Sequence, residues 1–214
     1  MKLTLCYAPI ACSIVPLVSL YEAGADFDIQ AVSLKNGQQR TPEYQRINPK
    51  GKVPVLIIDG EPLTENVAIL TWIANAYPAA KLLPTDAKNS IKALSLMGWC
   101  ASALHPPLGR INSPVRFCDT PGSDEGITRL AKEETIKNFK IVDQLLAGRE
   151  WVFDHFTAVD AYLFWVWRRA NQFKIEWPAF PNYAAHGERM MKRASVQRAI
   201  AFEKDAMAQE AKAA

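Results

Sequence analysis

The hydrophobic pattern changes character near residue 80, and this change constrains the possible folds more than any other feature of the sequence. Before it, short apolar runs with period-two alternation are interleaved with segments whose apolar residues recur at helical spacing. After it, the pattern is helical. The chain has 214 residues, enough for two modest domains. We therefore predict an α/β domain over residues 1–80, a linker over residues 81–88 and an all-helical domain over residues 89–214.

The first domain is predicted to hold seven elements in the order βαβαββα. Phe27–Val32 alternates apolar and polar residues, as a half-buried strand does. Val53–Ile58 is apolar and β-branched, and Asp59 with Gly60 favours a tight hairpin after it. Pro54 has no N–H for a sheet ladder, so we expect it at a strand entry or edge, where a cis peptide bond is useful. These elements make a mixed four-stranded sheet, too small to bind a dinucleotide.

The second domain is predicted to contain five helices. Pro106 and Pro107 are expected to end the first of them. The helix Thr157–Phe173 is apolar on every side and is therefore expected in the centre of the bundle. Its start matches a capping box, in which Thr157 and Asp160 satisfy backbone groups at the helix N-terminus, and we interpret it as a folding element. The predicted helices span residues 90–105, 124–147, 157–173, 181–193 and 195–208.

Composition excludes several classes of protein. Basic and acidic residues are interleaved and the net charge is only +3, which does not favour a nucleic-acid partner. The start of the chain lacks the pattern of a signal peptide, and no apolar run reaches the length of a membrane span, so we expect a cytoplasmic protein. His155 and His186 have no neighbours at metal-ligand spacing, and no metal is expected. The scattered cysteines favour a reducing compartment; they are Cys6, Cys12, Cys100 and Cys118.

Cys12 is the cysteine that stands out by position, because it lies where the first strand turns into the first helix. A helix N-terminus stabilises negative charge and lowers a thiol pKa, so we expect a thiolate there. The alternative is a small buried structural cysteine, which is the interpretation we prefer for Cys6 and Cys100. No second cysteine follows Cys12 closely, so disulfide exchange through an internal dithiol is disfavoured.

His105 is the second candidate for chemistry. It precedes Pro106, and a residue before proline is disfavoured in the helical region, so we expect its backbone to leave the helix. Such a side chain is able to project into a cleft. The alternative is an ordinary hydrogen-bonded structural histidine.

Taken together, the motifs resemble those of the cytosolic glutathione transferases, and among them the bacterial beta class most. Residues 7–13, YAPIACS, match the N-terminal motif of that class, and residues 48–54, NPKGKVP, match a second motif. Residues 63–69, LTENVAI, resemble the segment that binds the γ-glutamyl end of glutathione. Residues 156–164, FTAVDAYLF, match the helix-capping motif. The resemblance spans nearly the whole chain and implies a thioredoxin-like N-terminal domain followed by an all-α helical bundle.

The resemblance also implies how glutathione is bound. Val53 offers its backbone N–H and C=O to the cysteinyl part, and a cis Pro54 exposes them like an open sheet edge. Glu65 takes the γ-glutamyl ammonium, and Asn66 at a helix start takes its carboxylate. Lys35 is a weaker match for the partner of the glycyl carboxylate.

Two residues are implied to act on the glutathione sulfur. Cys12 would lie beside it, forming a mixed disulfide or donating a hydrogen bond to the thiolate, and His105 falls where the beta class carries an active-site histidine facing it from the helical domain. A second-substrate pocket is expected to mix aromatic and polar side chains. Its candidate residues are Tyr7, Trp99, Ser102, Arg110, Arg116 and Trp165.

The resemblance implies a homodimeric glutathione transferase that activates the thiol of glutathione for attack on electrophilic, peroxide or disulfide substrates in detoxification. It implies glutathione as the co-substrate and no metal. Gly98 and Pro106 depart from the beta-class pattern, which has asparagine and lysine there. These two departures motivate the alternative, a non-catalytic ligand-binding or protein-interaction module of the same fold.

Overall fold

The computed structural model describes residues 1–212 of the chain, and two compact units can be distinguished within it. The first unit comprises Met1–Thr85 together with the chain from Met191 onward, and the second comprises Asp86–Met190. The first unit holds a mixed four-stranded sheet with helices, and the second is helical. The fold class expected from the sequence is confirmed. The contacts group the end of the chain with the first unit, whereas the sequence pattern assigned it to the helical domain.

Four strands form the sheet, in the spatial order β2, β1, β3, β4. The strands are β1 (Leu3–Tyr7), β2 (Asp28–Ala31), β3 (Val55–Ile58) and β4 (Glu61–Thr64). β1 and β2 run parallel, whereas β3 is antiparallel to both β1 and β4. Leu5 lies in the middle, paired with Ile29 on one side and with Leu56 on the other. Gly60 has a φ of 95° in the hairpin between β3 and β4, as the sequence predicted for this turn.

The predicted helices occur in the expected order, with ends that differ by a few residues. The helices of the structure are α1 (Ile14–Glu22), α2 (Pro42–Ile47), α3 (Asn66–Ala76), α4 (Ala87–Trp99), α5 (His105–Asn112), α6 (Ser123–Leu145), α7 (Ala158–Ala170), α8 (Pro181–Met191) and α9 (Ala194–Lys212). Of these, α5 is a further helix that was not predicted. The order βαβαββα in the first 76 residues is confirmed.

The core of the first unit surrounds β1. Leu5, Cys6 and Tyr7 are fully buried, and α1 is buried from Ile14 to Leu20. Cys6 packs with Val32, Tyr44 and Val55 on one side of the sheet. Burial raises the pKa of the Cys6 thiol to about 11, which fits the structural role predicted for this cysteine.

The last helix, α9, packs against α1 within the first unit. Arg193, just before α9, donates two hydrogen bonds to the carboxylate of Glu22 at the end of α1, at 2.9 and 2.7 Å. Ser195 donates to the same carboxylate. Burial alone raises the pKa of Glu22, but the hydrogen bonds from Arg193 and Ser195 bring it below its ordinary value.

In the second unit, the predicted helix stop at Pro106 and Pro107 is wrong. α4 continues through a π-helical turn, Cys100–Leu104, directly into α5. The N–H of His105 donates to the carbonyl of Cys100, five residues back, and His105 has helical angles of φ −72° and ψ −48°. The wider π turn precedes the two prolines, which lie at the start of α5, where a missing N–H is tolerated.

α7 is buried from Ala158 to Val166, as predicted for the central helix of the second unit. The capping box is confirmed: Asp160 accepts a hydrogen bond from the N–H of Thr157 at 2.8 Å, and the Thr157 side chain accepts one from the backbone of Asp160. Asp160 also accepts from Val152 N–H and pairs with His186 at 3.0 Å. His186 therefore has the structural role expected for it.

Candidate functional site

Cys12 lies on the turn between β1 and α1. The hydroxyl of Ser13 fastens this turn, because it accepts from the N–H of Ala8 at 3.1 Å and donates to the carbonyl of Ala8 at 3.0 Å. The thiol of Cys12 donates to the carbonyl oxygen of Val53 at 3.7 Å. The segment that precedes β3 therefore lies directly beside the cysteine.

The expectation of a thiolate at Cys12 is wrong. Burial raises the pKa of its thiol to about 12, and a hydrogen bond with the Asn66 side chain only partly opposes this effect. The negative charge of Glu65 also raises the pKa, and the positive charge of Lys52 lowers it. α1 begins at Ile14, two residues after the cysteine, so Cys12 is not part of the first helical turn. The raised pKa favours the protonated thiol near neutral pH.

The peptide bond between Val53 and Pro54 is cis, as the sequence analysis expected. Val53 lies two residues before β3, so its N–H and C=O are not part of the sheet ladder. Two buried side chains hold the preceding carbonyl, that of Lys52: Tyr44 donates to it at 2.8 Å and Asn48 at 2.7 Å. These two hydrogen bonds therefore fix the backbone directly before Val53.

Gly51 is the one position in this segment where only glycine fits. Its φ is 60°, and a Cβ there would lie 2.9 Å from the carbonyl oxygen of Gln39. A side chain would thus be strained and would collide with backbone. The sequence NPKG places this glycine where the turn approaches the short 3-10 helix Gln38–Arg40.

The start of α3 supplies the next group of polar atoms. Glu65 precedes the helix with a φ of 73° and does not cap it with its side chain, so the first N–H groups of α3 lack a side-chain acceptor from this residue. Asn66, which is 6% exposed, donates to the carbonyl of Cys12 at 3.4 Å. The other side-chain atom of Asn66, Oδ1, is buried without a hydrogen-bond partner. Buried polar atoms without partners are rare in folded proteins.

Lys50 is a residue of this region that the sequence analysis did not single out. Its ammonium pairs with Oε1 of Glu65 and donates to Thr64 at 2.8 Å. Both members of the ion pair are well exposed, so its contribution to stability is small. The sequence signal for Lys50 was its place in the NPKG motif. Its pairing with Glu65 depends on the fold and cannot be seen in the sequence.

The structure brings Cys12, Val53, Glu65 and Asn66 together but does not bring Lys35 into contact with them. Lys35 is exposed on the turn after β2, and none of the hydrogen bonds found in the described part of the chain joins it to these residues. Its proposed role stays a prediction.

Tyr7 is fully buried at the end of β1 and its hydroxyl donates to the carboxylate of Glu203 at 2.9 Å. The same oxygen of Glu203 accepts from the N–H of Ile10 at 2.7 Å. Ile10 has a φ of 65°, so a buried carboxylate on α9 holds an unusual backbone conformation in the turn that carries Cys12. Glu203 was not predicted from the sequence, because nothing local distinguishes it from the exposed charges around it.

In the second unit, His105 lies among aromatic residues of α7. Its Nδ1 is 3.4 Å from the hydroxyl of Tyr162, and its ring meets Trp165 edge to face with centroids 4.3 Å apart. Tyr162 and Trp165 are both buried. The histidine ring is therefore held in a defined orientation.

The other residues predicted for a second-substrate pocket differ in their exposure and contacts within the second unit. Trp99 is partly buried, whereas Ser102 and Arg116 are exposed. Arg110 pairs with Glu134 at 2.9 Å. Their assignment to a pocket stays a prediction.

Two kinds of site are not seen in residues 1–212. These residues hold no group of three or more histidine, cysteine or acidic side chains placed to bind a metal ion. Nor do they include a helix with the length and hydrophobicity needed to cross a membrane.

Residues 1–75 match the family model for the glutathione S-transferase N-terminal domain. The chain is 34% identical over 201 residues to glutathione S-transferase GstA of Escherichia coli O157:H7, which covers 92% of this chain and 96% of that protein. The chain belongs to the glutathione S-transferase family.

Solved structures of other glutathione transferases extend this family assignment. A glutathione transferase homologue from Sulfitobacter, solved with bound glutathione, has a TM-score of 0.86 and 28% identity, covering 92% of this chain and 96% of that one. A bacterial beta-class glutathione S-transferase from Sphingomonas chungbukensis has a TM-score of 0.82 and 32% identity, covering 95% and 98%.

Proposed function

We propose that this glutathione S-transferase relative binds glutathione in its first unit and activates the glutathione thiol for attack on an electrophile, in the manner of the beta class. The observation that carries the proposal is the convergence of Cys12, the Val53 carbonyl and the side chain of Asn66. These groups come from three separate elements of the fold. A cysteine, a backbone edge outside the sheet ladder and a helix start suit the thiol, the cysteinyl backbone and the γ-glutamyl carboxylate of glutathione.

The cysteinyl part of glutathione is assigned to Val53. Its N–H and C=O lie outside the sheet ladder, beside the cis bond to Pro54, and are suited to pair with an extended peptide. The carbonyl is already within 3.7 Å of the Cys12 sulfur. A peptide paired here would have its own sulfur near that of Cys12.

The γ-glutamyl end is assigned to Glu65 and Asn66. The carboxylate of Glu65 is suited to pair with the ammonium group. In the structure, Lys50 pairs with Oε1 of this carboxylate. The first N–H groups of α3 suit the carboxylate. The buried Oδ1 of Asn66, which has no donor, fits a ligand that supplies one. The glycyl carboxylate is assigned to Lys35, supported by its position as an exposed cation.

We assign Cys12 the role of a hydrogen-bond donor to the glutathione sulfur. Its high pKa keeps the S–H bond intact, and a neutral thiol is able to donate to a thiolate. In conjugation, glutathione gives its thiol proton to solvent and its sulfur forms a bond to the electrophilic carbon, while the leaving group departs with the electron pair. With a hydroperoxide, two glutathione molecules are oxidised to the disulfide while the peroxide is reduced to alcohol and water. We also propose that the activated glutathione thiol attacks disulfide substrates.

His105 is assigned to the same reaction. The support is its position in the motif and the fixed orientation of its ring against Tyr162 and Trp165. Other proposals rest on the resemblance alone. We propose a homodimer in the cytoplasm with a role in detoxification. We also propose a glutathione-binding domain over residues 1–80 and a second-substrate domain over residues 89–214.

The alternative function is a non-catalytic module that binds glutathione or a protein partner. Gly98 and Pro106 are the observations in its favour, since both replace residues typical of the beta class. A Cβ on Gly98 would meet no atom within 4 Å, so the surroundings do not require glycine there.

Calorimetric titration with glutathione, followed by conjugation, peroxidase and thiol–disulfide assays, tests the proposal. We expect glutathione binding in the millimolar range or tighter together with turnover of at least one electrophile. Asn66→Ala is expected to weaken binding, whereas Asn36→Ala, an exposed asparagine of the same unit, is the matched control. Absence of binding at millimolar glutathione would contradict the proposal, and binding without turnover would favour the non-catalytic alternative.

A further inference from the structure

The segment that carries His105 contains two successive residues without a backbone N–H. In a regular α-helix, the N–H groups of residues 106 and 107 would donate to the carbonyls of Ser102 and Ala103. Pro106 and Pro107 cannot do so. The helix nevertheless continues, because residues 100–104 form a π turn.

The carbonyl of Ala103 receives its hydrogen bond from outside the helix. Nδ2 of Asn138, on α6, donates to it at 3.1 Å. Asn138 is itself partly buried. The Asn138 amide thus replaces the N–H that Pro107 lacks. As a result, the partly buried carbonyl of Ala103 still has a hydrogen-bond donor.

The π turn sets the direction of the next residue. A π turn adds a residue to one turn of a helix, so it rotates every side chain that follows relative to a regular α-helix. His105 is the first residue after it, and its ring meets Tyr162 and Trp165. A return of the segment to α-helical geometry would turn the imidazole away from these partners.

We propose that Asn138 is a positioning residue for His105: its amide holds the Ala103 carbonyl, stabilises the π turn and so fixes the imidazole against Tyr162 and Trp165. The catalytic consequence rests on the role proposed above for His105. The positioning itself depends only on contacts within the second unit.

The test measures the NMR signals of the histidine rings in the full chain. The sequence has three histidines, and His105→Gln identifies which signals belong to His105. Asn138→Leu removes the amide, and Asn138→Asp keeps the size but replaces the donor with an acceptor. We expect both to shift the His105 signals and to lower kcat/KM for conjugation about tenfold, with KM for glutathione nearly unchanged. The signals of His155 and His186 are expected to stay in place.

Two controls separate positioning from general loss of stability. Asn138→Gln keeps an amide and is expected to retain most of the activity. Asn182→Leu removes another partly buried amide, one that bonds to Asp143 at 2.9 Å, and is expected to leave the His105 signals unchanged.

A rescue experiment tests the role of proline directly. Pro107→Ala restores an N–H that is able to donate to Ala103, so Asn138→Asp is expected to shift the His105 signals much less in this background. Unchanged His105 signals in both Asn138 variants, or an equal shift with and without Pro107→Ala, would overturn the proposal. If His105→Gln leaves conjugation unaffected, the proposed role of His105 fails, and the NMR comparison still decides whether Asn138 positions it.

Discussion

The thiol of Cys12 donates to the carbonyl oxygen of Val53 across 3.7 Å, and this contact joins the turn after β1 to the segment before β3. Val53 lies outside the sheet ladder. The YAPIACS and NPKGKVP segments are 41 residues apart in sequence at these two positions, and the fold brings them together. The raised pKa of Cys12 favours a hydrogen-bond donor over a thiolate near neutral pH.

The donor role predicts how Cys12 variants behave in conjugation. Cys12→Ala removes the donor and is expected to lower kcat about tenfold, the effect of losing one hydrogen bond to a charged atom. Cys12→Ser keeps a hydroxyl donor and should retain most of the activity. Steady-state kinetics with varied glutathione measures both. Cys118→Ser is the control, and equal losses in the serine and alanine variants would contradict a donor role.

The order in which the cysteines react with iodoacetamide tests the pKa shifts. Hydrogen bonds from Thr120 and Ser123 lower the pKa of Cys118, whereas burial raises that of Cys12 to about 12. Because only the thiolate reacts, Cys118 should be labelled first, and labelling of Cys12 should rise with pH well beyond pH 9. Mass spectrometry of the digested protein gives both rates. A rate for Cys12 that levels off below pH 8 would show that its thiol is ionised near neutrality.

Oxidised glutathione should form a mixed disulfide with Cys12 slowly near pH 7 and faster as pH rises. The Cys12 thiolate attacks one sulfur of the disulfide, and one glutathione thiolate leaves, so the rate follows the thiolate fraction. Intact-protein mass spectrometry measures the adduct, and Cys12→Ala is the control that should lack it. An adduct that forms equally fast at pH 6 and pH 9 would argue against a raised pKa.

Several parts of this fold were predictable because local sequence determines them. The order βαβαββα follows from alternating strand-like and helical hydrophobic patterns, whereas the cis bond at Pro54 and the capping box of Thr157 with Asp160 each belong to a short motif. The Cys6 and Cys100 side chains are buried, as apolar neighbours in sequence suggested.

Other features depend on partners distant in sequence and were missed. The helix passes Pro106 and Pro107 because a π turn and Asn138 supply what the prolines lack. The raised pKa of Cys12 comes from its surroundings in the fold, which the proximity of a helix start did not reveal. The last helix groups with the first unit partly through Glu203, whose hydrogen bonds to Tyr7 and Ile10 span nearly the whole chain.

Glu203 is predicted to be important for stability. Its carboxylate is 1% exposed and accepts from Tyr7 and Ile10 with one oxygen. Glu203→Leu removes the buried acceptor of two hydrogen bonds and should cost about 2–3 kcal/mol of unfolding free energy. Tyr7→Phe removes one hydrogen bond and should cost about 1 kcal/mol. Urea unfolding monitored by circular dichroism measures both. Glu203→Gln keeps an acceptor oxygen, and a loss as large as that of leucine would contradict this explanation.

Gly187 of α8 is predicted not to tolerate a side chain. A Cβ there would lie 2.3 Å from the ring of Trp167, so Gly187→Ala forces the indole or the helix to move and should cost about 1–3 kcal/mol. The matched control is Gly126→Ala in α6, where a Cβ meets no atom within 4 Å. This change should stabilise the protein by up to about 1 kcal/mol, since alanine favours a helix. Thermal unfolding compares the two variants, and equal effects would contradict the close approach of Trp167.

The most direct test of the proposed mechanism is the thiol pKa of glutathione bound to the protein, measured by ultraviolet difference titration of thiolate absorbance. If Cys12 donates to the glutathione sulfur, that pKa should be about one unit lower in the wild-type protein and in Cys12→Ser than in Cys12→Ala. The same pKa in all three proteins, with glutathione bound in each, would contradict the role of Cys12 as the donor that activates glutathione.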